Sequence, residues 1–154
     1  MILDSDFVSL ITNQVKSSSD NWGTGVILYN RAKDSILMAE RTDTHQLATP
    51  GGKVELNESP KDGIIRECLE ESNVRIINMC CYGFRTHTDD HNRDWVDYLF
   101  YSDVFDDRDI RNQRSEMGPF KWYPVNSIIS LDLFKPCSLA IDSALSIGLL
   151  NGLS

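Results

Sequence analysis

The chain has 154 residues, of which 41% are hydrophobic and 25% are charged, and its formal net charge is −8. This composition is that of one globular domain over residues 1–154, and no apolar run reaches the ~18–20 residues that cross a membrane. An acidic chain without a basic patch is not expected to bind duplex DNA, because phosphate contacts supply most of that affinity.

Segments with helix or strand periodicity follow one another along the chain. Apolar residues between positions 5 and 16 predict a short amphipathic helix. Two strands are predicted at 25–29 and 35–40, joined by a turn-like segment. Runs rich in β-branched and aromatic residues predict further strands at 74–82, 95–105 and 120–125. The largely apolar stretch 137–150 predicts a C-terminal helix packed on the sheet, so we expect an α/β sandwich.

The four cysteines are Cys68, Cys80, Cys81 and Cys137. They form no C-x-x-C pair, so neither a zinc site nor a redox motif is indicated. We expect reduced thiols in or near the core of a cytosolic protein. The acidic N-terminus lacks the basic start of a secretory signal, which also favours a cytoplasmic location.

A helix with clear boundaries is predicted between residues 59 and 73. Ser59 is a good N-cap, Pro60 fits the first helical position, and Asp62 can complete a capping box. Asn73 tolerates the left-handed conformation that ends a helix. One apolar face should contact the core, and it consists of Ile64, Ile65, Cys68 and Leu69.

The other face of this helix is acidic. Glu67, Glu70 and Glu71 fall together there, beside Arg66. Carboxylates at this spacing repel each other, and a bound hard cation such as Mg²⁺ or Mn²⁺ would reverse the sign of that interaction. The alternative is a solvated acidic face paired with Arg66 and Lys61.

The residues around this helix form a longer pattern. Glycine stands at 52, glutamate at 58, Arg-Glu at 66–67 and Glu-Glu at 70–71, and the 23 positions end at Val74. The pattern resembles the Nudix box, with Asn73 where that family usually has glycine. The resemblance implies a Nudix-type α/β/α sandwich with a central mixed β-sheet. It also implies Mg²⁺-dependent hydrolysis, with Mn²⁺ as an alternative, of a pyrophosphate bond in a nucleoside diphosphate linked to another moiety.

The resemblance also implies metal ligands, position by position. Glu70 and Glu71 are the strongest candidates, and Glu67 is either a third ligand or the base that activates water. A backbone carbonyl at Gly51 or Gly52 would add a ligand.

Supporting roles come from the same resemblance. Arg66 would orient a carboxylate through a charge-assisted hydrogen bond, and Glu58 would support it. Lys53 either touches a phosphate or is solvated, and Arg41 either binds phosphate or forms a surface ion pair. Glu116 is a metal ligand, a base or a plain loop glutamate.

Substrate identity stays open in the sequence. One class is an adenine-type conjugate, such as ADP-ribose, a dinucleoside polyphosphate, FAD, NADH or a 5′-capped RNA end. The other is a nucleoside triphosphate cleaved as MutT-like enzymes do, and a catalytically inactive nucleotide-binding module is a third reading. Many members of the family form homodimers, so dimerisation is a further expectation.

The polar stretch 85–94 and the aromatic residues bear on the substrate. We expect 85–94 to be a mobile hairpin loop that accommodates a second substrate moiety. A metal cluster of its His and Asp residues is the alternative, involving His87, Asp89, Asp90 and His91. Any of six aromatic residues could stack on a base, although core packing is favoured for each. They are Tyr82, Phe84, Trp95, Tyr98, Trp122 and Tyr123.

Overall fold

A mixed β-sheet forms the centre of the computed structural model, which describes residues 12–150. Its seven strands in this range are β1 (Asn21–Asn30), β2 (Ser35–Glu40), β3 (Leu47–Ala48), β4 (Gly51–Lys53), β5 (Arg75–Thr88), β6 (Asp94–Asp106) and β7 (Lys121–Pro124). The main order is β3-β2-β1-β6-β5, while β4 pairs with β1 and β7 pairs with β2. β1 and β6 run parallel, and the other pairs are antiparallel.

Helices α1 (Pro60–Ser72) and α2 (Lys135–Ser146) cover the two faces of the sheet, and a 3-10 helix (Val125–Ser130) precedes α2. Strand β1 contributes side chains to the cores on both faces of the sheet, because successive side chains of a strand point to opposite faces. Val26 and Leu28 belong to a core with Ile64 of α1, whereas Ile27 belongs to a second core with Ile141 of α2. The layers confirm the predicted α/β/α sandwich. Within the described range, no helix is long and apolar enough to cross a membrane.

The ends of α1 lie where local sequence signals predicted them. Ser59 has extended backbone geometry, and its hydroxyl accepts the Asp62 N–H at 3.1 Å. Asn73 has φ 60°, and its N–H donates to the Leu69 carbonyl at 2.9 Å. The N-cap and the left-handed C-cap are therefore confirmed.

Other boundaries differ from the prediction. Every predicted strand is present, but β1 begins at Asn21 and β5 continues to Thr88, because long-range pairing with β6 extends a polar stretch of the chain. The last predicted strand ends at Pro124, and α2 ends at Ser146. Of the helix predicted over 5–16, residues 5–11 lie outside the described part of the chain.

Two burial predictions were wrong. Leu69 was assigned to the core face of α1, but it is exposed at the edge of that face. Cys80 was expected in or near the core, and it is exposed because β5 turns that position to solvent. Cys68 is buried as expected, and all four cysteines are free.

Candidate active site

The two glycines of β4 lie directly against the glutamates of α1. The Gly51 N–H donates to Glu71 Oε1 at 2.9 Å. A Cβ placed on Gly52 would stand 2.4 Å from the Glu67 carboxyl carbon, and one on Gly51 would stand 2.5 Å from the Thr24 carbonyl oxygen. Glycine is therefore required here by close approach, since any side chain would occupy the cradle of the Glu67 carboxylate.

The three glutamates of α1 differ in exposure. Glu67 and Glu71 are buried, and Glu70 is exposed. Burial, reinforced by the negative charge of Glu67, raises the pKa of Glu71 to about 7. Two acidic side chains are thus packed into one poorly solvated place, an arrangement that a nearby cation stabilises.

Arg66 forms hydrogen bonds with three of the acidic residues, Glu58, Glu67 and Glu70. Its Nε lies 2.7 Å from Glu58 Oε2, its Nη2 lies 3.0 Å from Glu58 Oε1, and its Nη1 lies 2.9 Å from Glu67 Oε1. This bidentate pairing lowers the pKa of Glu58. Glu58 therefore holds the guanidinium, and the guanidinium holds Glu67 in a fixed orientation.

Arg114 is a second cation at this cluster, and the sequence motif did not reveal it. Its Nη1 lies 3.0 Å from Glu67 Oε2, and its Nη2 contacts Glu70 Oε2. The residue lies between β6 and β7, more than 40 positions from α1, in a stretch with no helix or strand periodicity. The sequence indicated this contact only by placing a basic residue two positions before Glu116.

The donor set suits a hard divalent cation, since it consists of carboxylate and backbone oxygens. In the arrangement described for residues 12–150, no three His, Cys, Asp or Glu side chains converge as a ready-made metal site. Arg66 and Arg114 instead contact the carboxylate oxygens of Glu67 and Glu70. The buried, mutually repelling pair Glu67 and Glu71 is what fits a cation here.

Arg41 and Glu116 lie near this cluster. The charge of Glu116 contributes to the raised pKa of Glu71, and the Glu116 carbonyl accepts the Thr42 N–H at 2.9 Å. Arg41 pairs with Asp43 at 2.7 Å, and its guanidinium carbon stands 4.2 Å from the centroid of the Phe134 ring. Arg41 thus forms the surface ion pair that the sequence left as an alternative, while it also borders the cleft described next.

A cleft of about 640 Å³ lies on the α2 side of β4. Arg41, Gly51, Gly52 and Lys53 border it, and Lys53 Nζ stands 5.6 Å from the centroid of the Trp95 ring. The box glutamates do not line the cleft, but they contact the strand that does. Acidic cluster and cleft therefore meet at β4.

At the far end of the cleft, the prediction of a hairpin loop over residues 85–94 was wrong in its extent. Arg85 to Thr88 continue β5, so the connection to β6 is only residues 89–93. The alternative metal cluster is absent from the described residues, since its members have other partners. His87 Nδ1 lies 2.9 Å from Asp97 Oδ2, and Asp89 accepts from Arg93 and from the Trp95 indole N–H.

Asp97 is a cleft residue that the sequence motifs did not indicate. Its side chain is only 20% exposed, and burial raises its pKa. Arg85 stands beside it, with Nη2 3.8 Å from Asp97 Oδ2. A Cβ on Gly23 would lie 2.4 Å from Asp97 Oδ1, so the glycine makes room for the carboxylate. Only strand pairing brings these three positions together.

Of the aromatic candidates, Tyr82 and Trp95 line the cleft. Tyr98 is buried, Trp122 packs against a core cluster and stacks on Phe105 at 5.8 Å between centroids, and Phe84 is exposed. Of these residues, only Tyr82 and Trp95 are therefore placed where they could stack on a base in the cleft.

Comparison with known proteins agrees with this geometry. Residues 20–140 match the family described as the NUDIX domain. An uncharacterized Nudix hydrolase of Bacillus subtilis (strain 168), YvcI, is 32% identical over an alignment of 104 residues that covers 65% of this chain and 65% of that protein. The aligned region therefore spans just under two thirds of this relative.

Two solved structures share the fold. The MutT NUDIX hydrolase from Burkholderia pseudomallei has a TM-score of 0.71 at 18% identity, covering 82% of this chain and 98% of that one. The NUDIX domain of Shewanella oneidensis NrtR, solved with ADP ribose, has a TM-score of 0.72 at 14% identity, covering 84% and 89%.

The mixed sheet between two helical layers is thus a fold that this chain shares with Nudix proteins. The chain belongs to the Nudix hydrolase family. The family resemblance that the box residues carried is therefore confirmed.

Proposed function

We propose that this protein catalyses the divalent-metal-dependent hydrolysis of a pyrophosphate bond in a nucleoside diphosphate linked to another moiety. One observation carries the proposal: β4 is contacted by Glu67 and Glu71 and also borders a cleft with Arg41 and Lys53. The cleft volume of about 640 Å³ is within the usual range for small-molecule sites. Such a strand would hold a phosphate chain between cations and carboxylates.

The proposed metal ligands are Glu67, Glu70 and Glu71, with a backbone carbonyl at Gly51 or Gly52. A bound Mg²⁺ or Mn²⁺ would neutralise charge on the phosphates and lower the pKa of a water molecule. Arg66 and Glu58 are positioning residues for the Glu67 carboxylate.

The remaining polar groups have proposed roles in substrate binding and proton transfer. Arg41 and Lys53 would neutralise non-bridging phosphate oxygens from the cleft side. Either Glu67 or Glu116 would accept the proton of the attacking water as it bonds to phosphorus and the bridging oxygen leaves.

Adenine-type conjugates are the favoured substrates, including ADP-ribose, dinucleoside polyphosphates, FAD, NADH and capped RNA ends. The cleft continues past β4 to Arg85, Arg93 and Trp95, which supports room for a second moiety. A nucleoside triphosphate, cleaved to monophosphate and pyrophosphate, is the second candidate, because Arg41 and Lys53 would suit either phosphate chain.

The test is a turnover screen of these compounds and of canonical and oxidised nucleoside triphosphates, with Mg²⁺ or Mn²⁺. We expect a nucleoside monophosphate among the products and no turnover in EDTA. Products resolved by chromatography separate the two classes, since only triphosphates release pyrophosphate.

A matched pair of variants tests the mechanism. Glu70→Gln/Glu71→Gln should lower kcat by at least ~100-fold, because it removes charge stabilisation of the reacting phosphate. Asp142→Asn, an exposed carboxylate on α2 away from the cleft, should keep wild-type turnover. A fully active double variant would refute the mechanism, and a chain without turnover on any compound would favour the inactive binding module.

A further inference from the structure

A polar row crosses the floor of the cleft beyond β4. Gly23 of β1 pairs with Lys53 on one side and with Asp97 on the other, and Asp97 pairs with Arg85. Residues directly opposite each other in a sheet share a face, and all four line the cleft. Hydrolysis at β4 makes no use of Asp97 or Arg85.

This row contains a carboxylate oxygen of Asp97 and, beside it, the guanidinium of Arg85, and neither has a hydrogen-bond partner among residues 12–150. Asp97 Oδ2 already faces His87 Nδ1 at 2.9 Å, while Oδ1 receives no hydrogen bond from residues 12–150. Arg85 Nε is buried and has no acceptor within the same range. Its nearest carboxylate contact, 3.8 Å from Nη2, is too long for a hydrogen bond. The Arg85 guanidinium therefore lines the cleft without a hydrogen-bond acceptor among residues 12–150.

The neighbouring row provides a flat floor. Leu99 pairs with Gly25 on one side and with Gly83 on the other. Gly25 and Leu99 line the cleft, and Gly25 has no side chain. Tyr82 and Ala140 bring apolar surface to the same cleft. A planar ring could therefore lie on this floor with one edge toward Asp97 and Arg85.

We propose that Asp97 and Arg85 are specificity-determining residues that bind the amino edge of an adenine-type base. The exocyclic amino group donates to Asp97 Oδ1, and an adjacent ring nitrogen accepts from the Arg85 guanidinium, which lines the cleft. Adenine presents this pair of one donor and one acceptor. The inference rests on the proposed function, because it assigns the nucleoside end of the same substrate.

Guanine fits this row less well. Its N1–H and amino group are two donors side by side, and a carboxylate receives them with both oxygens. His87 already occupies Asp97 Oδ2, so one guanine donor would lack a partner. The occupied oxygen thus favours a base that offers a single donor at this edge.

The test measures binding without metal, so it is independent of turnover. Calorimetry on the full chain in EDTA compares AMP with purine riboside 5′-monophosphate, which lacks only the amino group. The wild type should bind AMP roughly 10- to 100-fold more tightly, as expected for one hydrogen bond to a charged group. Asp97→Ala should bind both nucleotides equally, and Arg85→Met should weaken AMP binding by a similar factor.

Matched controls lie on the same sheet. Asp103 is another partly exposed carboxylate of β6, and it pairs with Arg31 at 2.6 Å outside the cleft. Asp103→Ala and Arg31→Met should leave the preference for AMP unchanged. Thermal melting of every variant verifies that it is folded.

Several results would overturn the inference. They are equal wild-type affinity for the two nucleotides, no measurable AMP binding, equal weakening of both by Asp97→Ala, or tighter binding of GMP than of AMP. An effect of Arg85→Met that grows from AMP to ADP to ATP would indicate a phosphate subsite instead. A chain that passes these tests but hydrolyses nothing keeps this inference and loses the proposed function.

Discussion

Arg114 stands where a metal ion would also be attracted. Its guanidinium contacts Glu67 and Glu70, two of the three proposed ligands. In the metal-free protein it offsets part of the repulsion among these carboxylates, so arginine and metal compete for the same oxygens. Removing the arginine should therefore destabilise the metal-free state and favour the metal-bound one.

Arg114→Gln should lower the free energy of unfolding in EDTA and tighten Mg²⁺ binding roughly two- to tenfold. The variant loses an exposed pair with Glu70, which contributes about 0.2–1 kcal/mol, and a partly buried pair with Glu67. Thermal melting and calorimetry measure the two effects. Arg111→Gln, which removes an exposed pair with Asp109 in the same stretch, is the control. Weaker Mg²⁺ binding by Arg114→Gln would contradict the competition.

Glu71 gives the metal-free protein a pH dependence. Its folded-state pKa of about 7 exceeds its ordinary value of 4.5, mainly because it is buried. The folded state thus binds the proton more tightly, so this contribution to stability is fully present below about pH 4.5. This contribution to the free energy of unfolding is roughly 3 kcal/mol, and it is lost as the pH rises through about 7.

Glu71→Gln should therefore be more stable than the wild type in EDTA at pH 8.5 and differ little at pH 4.5. Glutamine keeps an oxygen that can accept the Gly51 N–H, so the comparison isolates the charge. Denaturant unfolding at both pH values gives the difference. Asp142→Asn, at an exposed position on α2, is the control. A pH-independent effect of Glu71→Gln would count against the buried charge.

At the scale of elements, α1 is the part of the fold that sequence predicts best. Its start, its end and its acidic face depend on residues within one or two turns of each other, as at Ser59 and Asn73. The extension of β5 to Thr88, the position of Arg114 and the pairing of Asp97 with Gly23 and Arg85 depend on distant contacts. Local periodicity carries no information about these.

Asn73 has a second role beyond ending α1. Its left-handed φ of 60° suits asparagine or glycine, and its side-chain amide also donates to the Asp109 carbonyl at 2.9 Å. The cap thereby ties the helix to the connection between β6 and β7 that carries Arg114. The usual glycine of the family would end the helix without this contact.

Asn73→Ala should cost about 1–2 kcal/mol of stability, because a Cβ without a compensating polar side chain disfavours the left-handed conformation. Asn73→Gly should cost less than half as much, since it avoids that penalty and loses only the exposed contact with Asp109. Chemical denaturation compares both with the wild type. Equal costs would mean that the amide contact, and not the backbone conformation, determines the stability of this cap.

For the whole molecule, metal binding and folding should be coupled. Mg²⁺ at 100 times its Kd would stabilise the folded state by about 2.7 kcal/mol. For a domain of this size that is a rise in Tm of roughly 5–10 °C over the value in EDTA. The Glu70→Gln/Glu71→Gln variant should lose this rise while Asp142→Asn retains it. An equal rise in both would mean that the ion binds elsewhere.

Strand β4, three residues long, separates the carboxylates of α1 from the side chains of the cleft. The carboxylates belong to the α1 layer, while the cleft side chains of β5 and β6 belong to the α2 layer. Substitutions at the cleft positions of β5 and β6 should therefore leave the contacts of α1 in place. A library randomised at positions 85, 87 and 97 should yield variants that prefer other nucleobases and still bind the metal. This chain is therefore a practical starting point for the directed evolution of nucleobase preference.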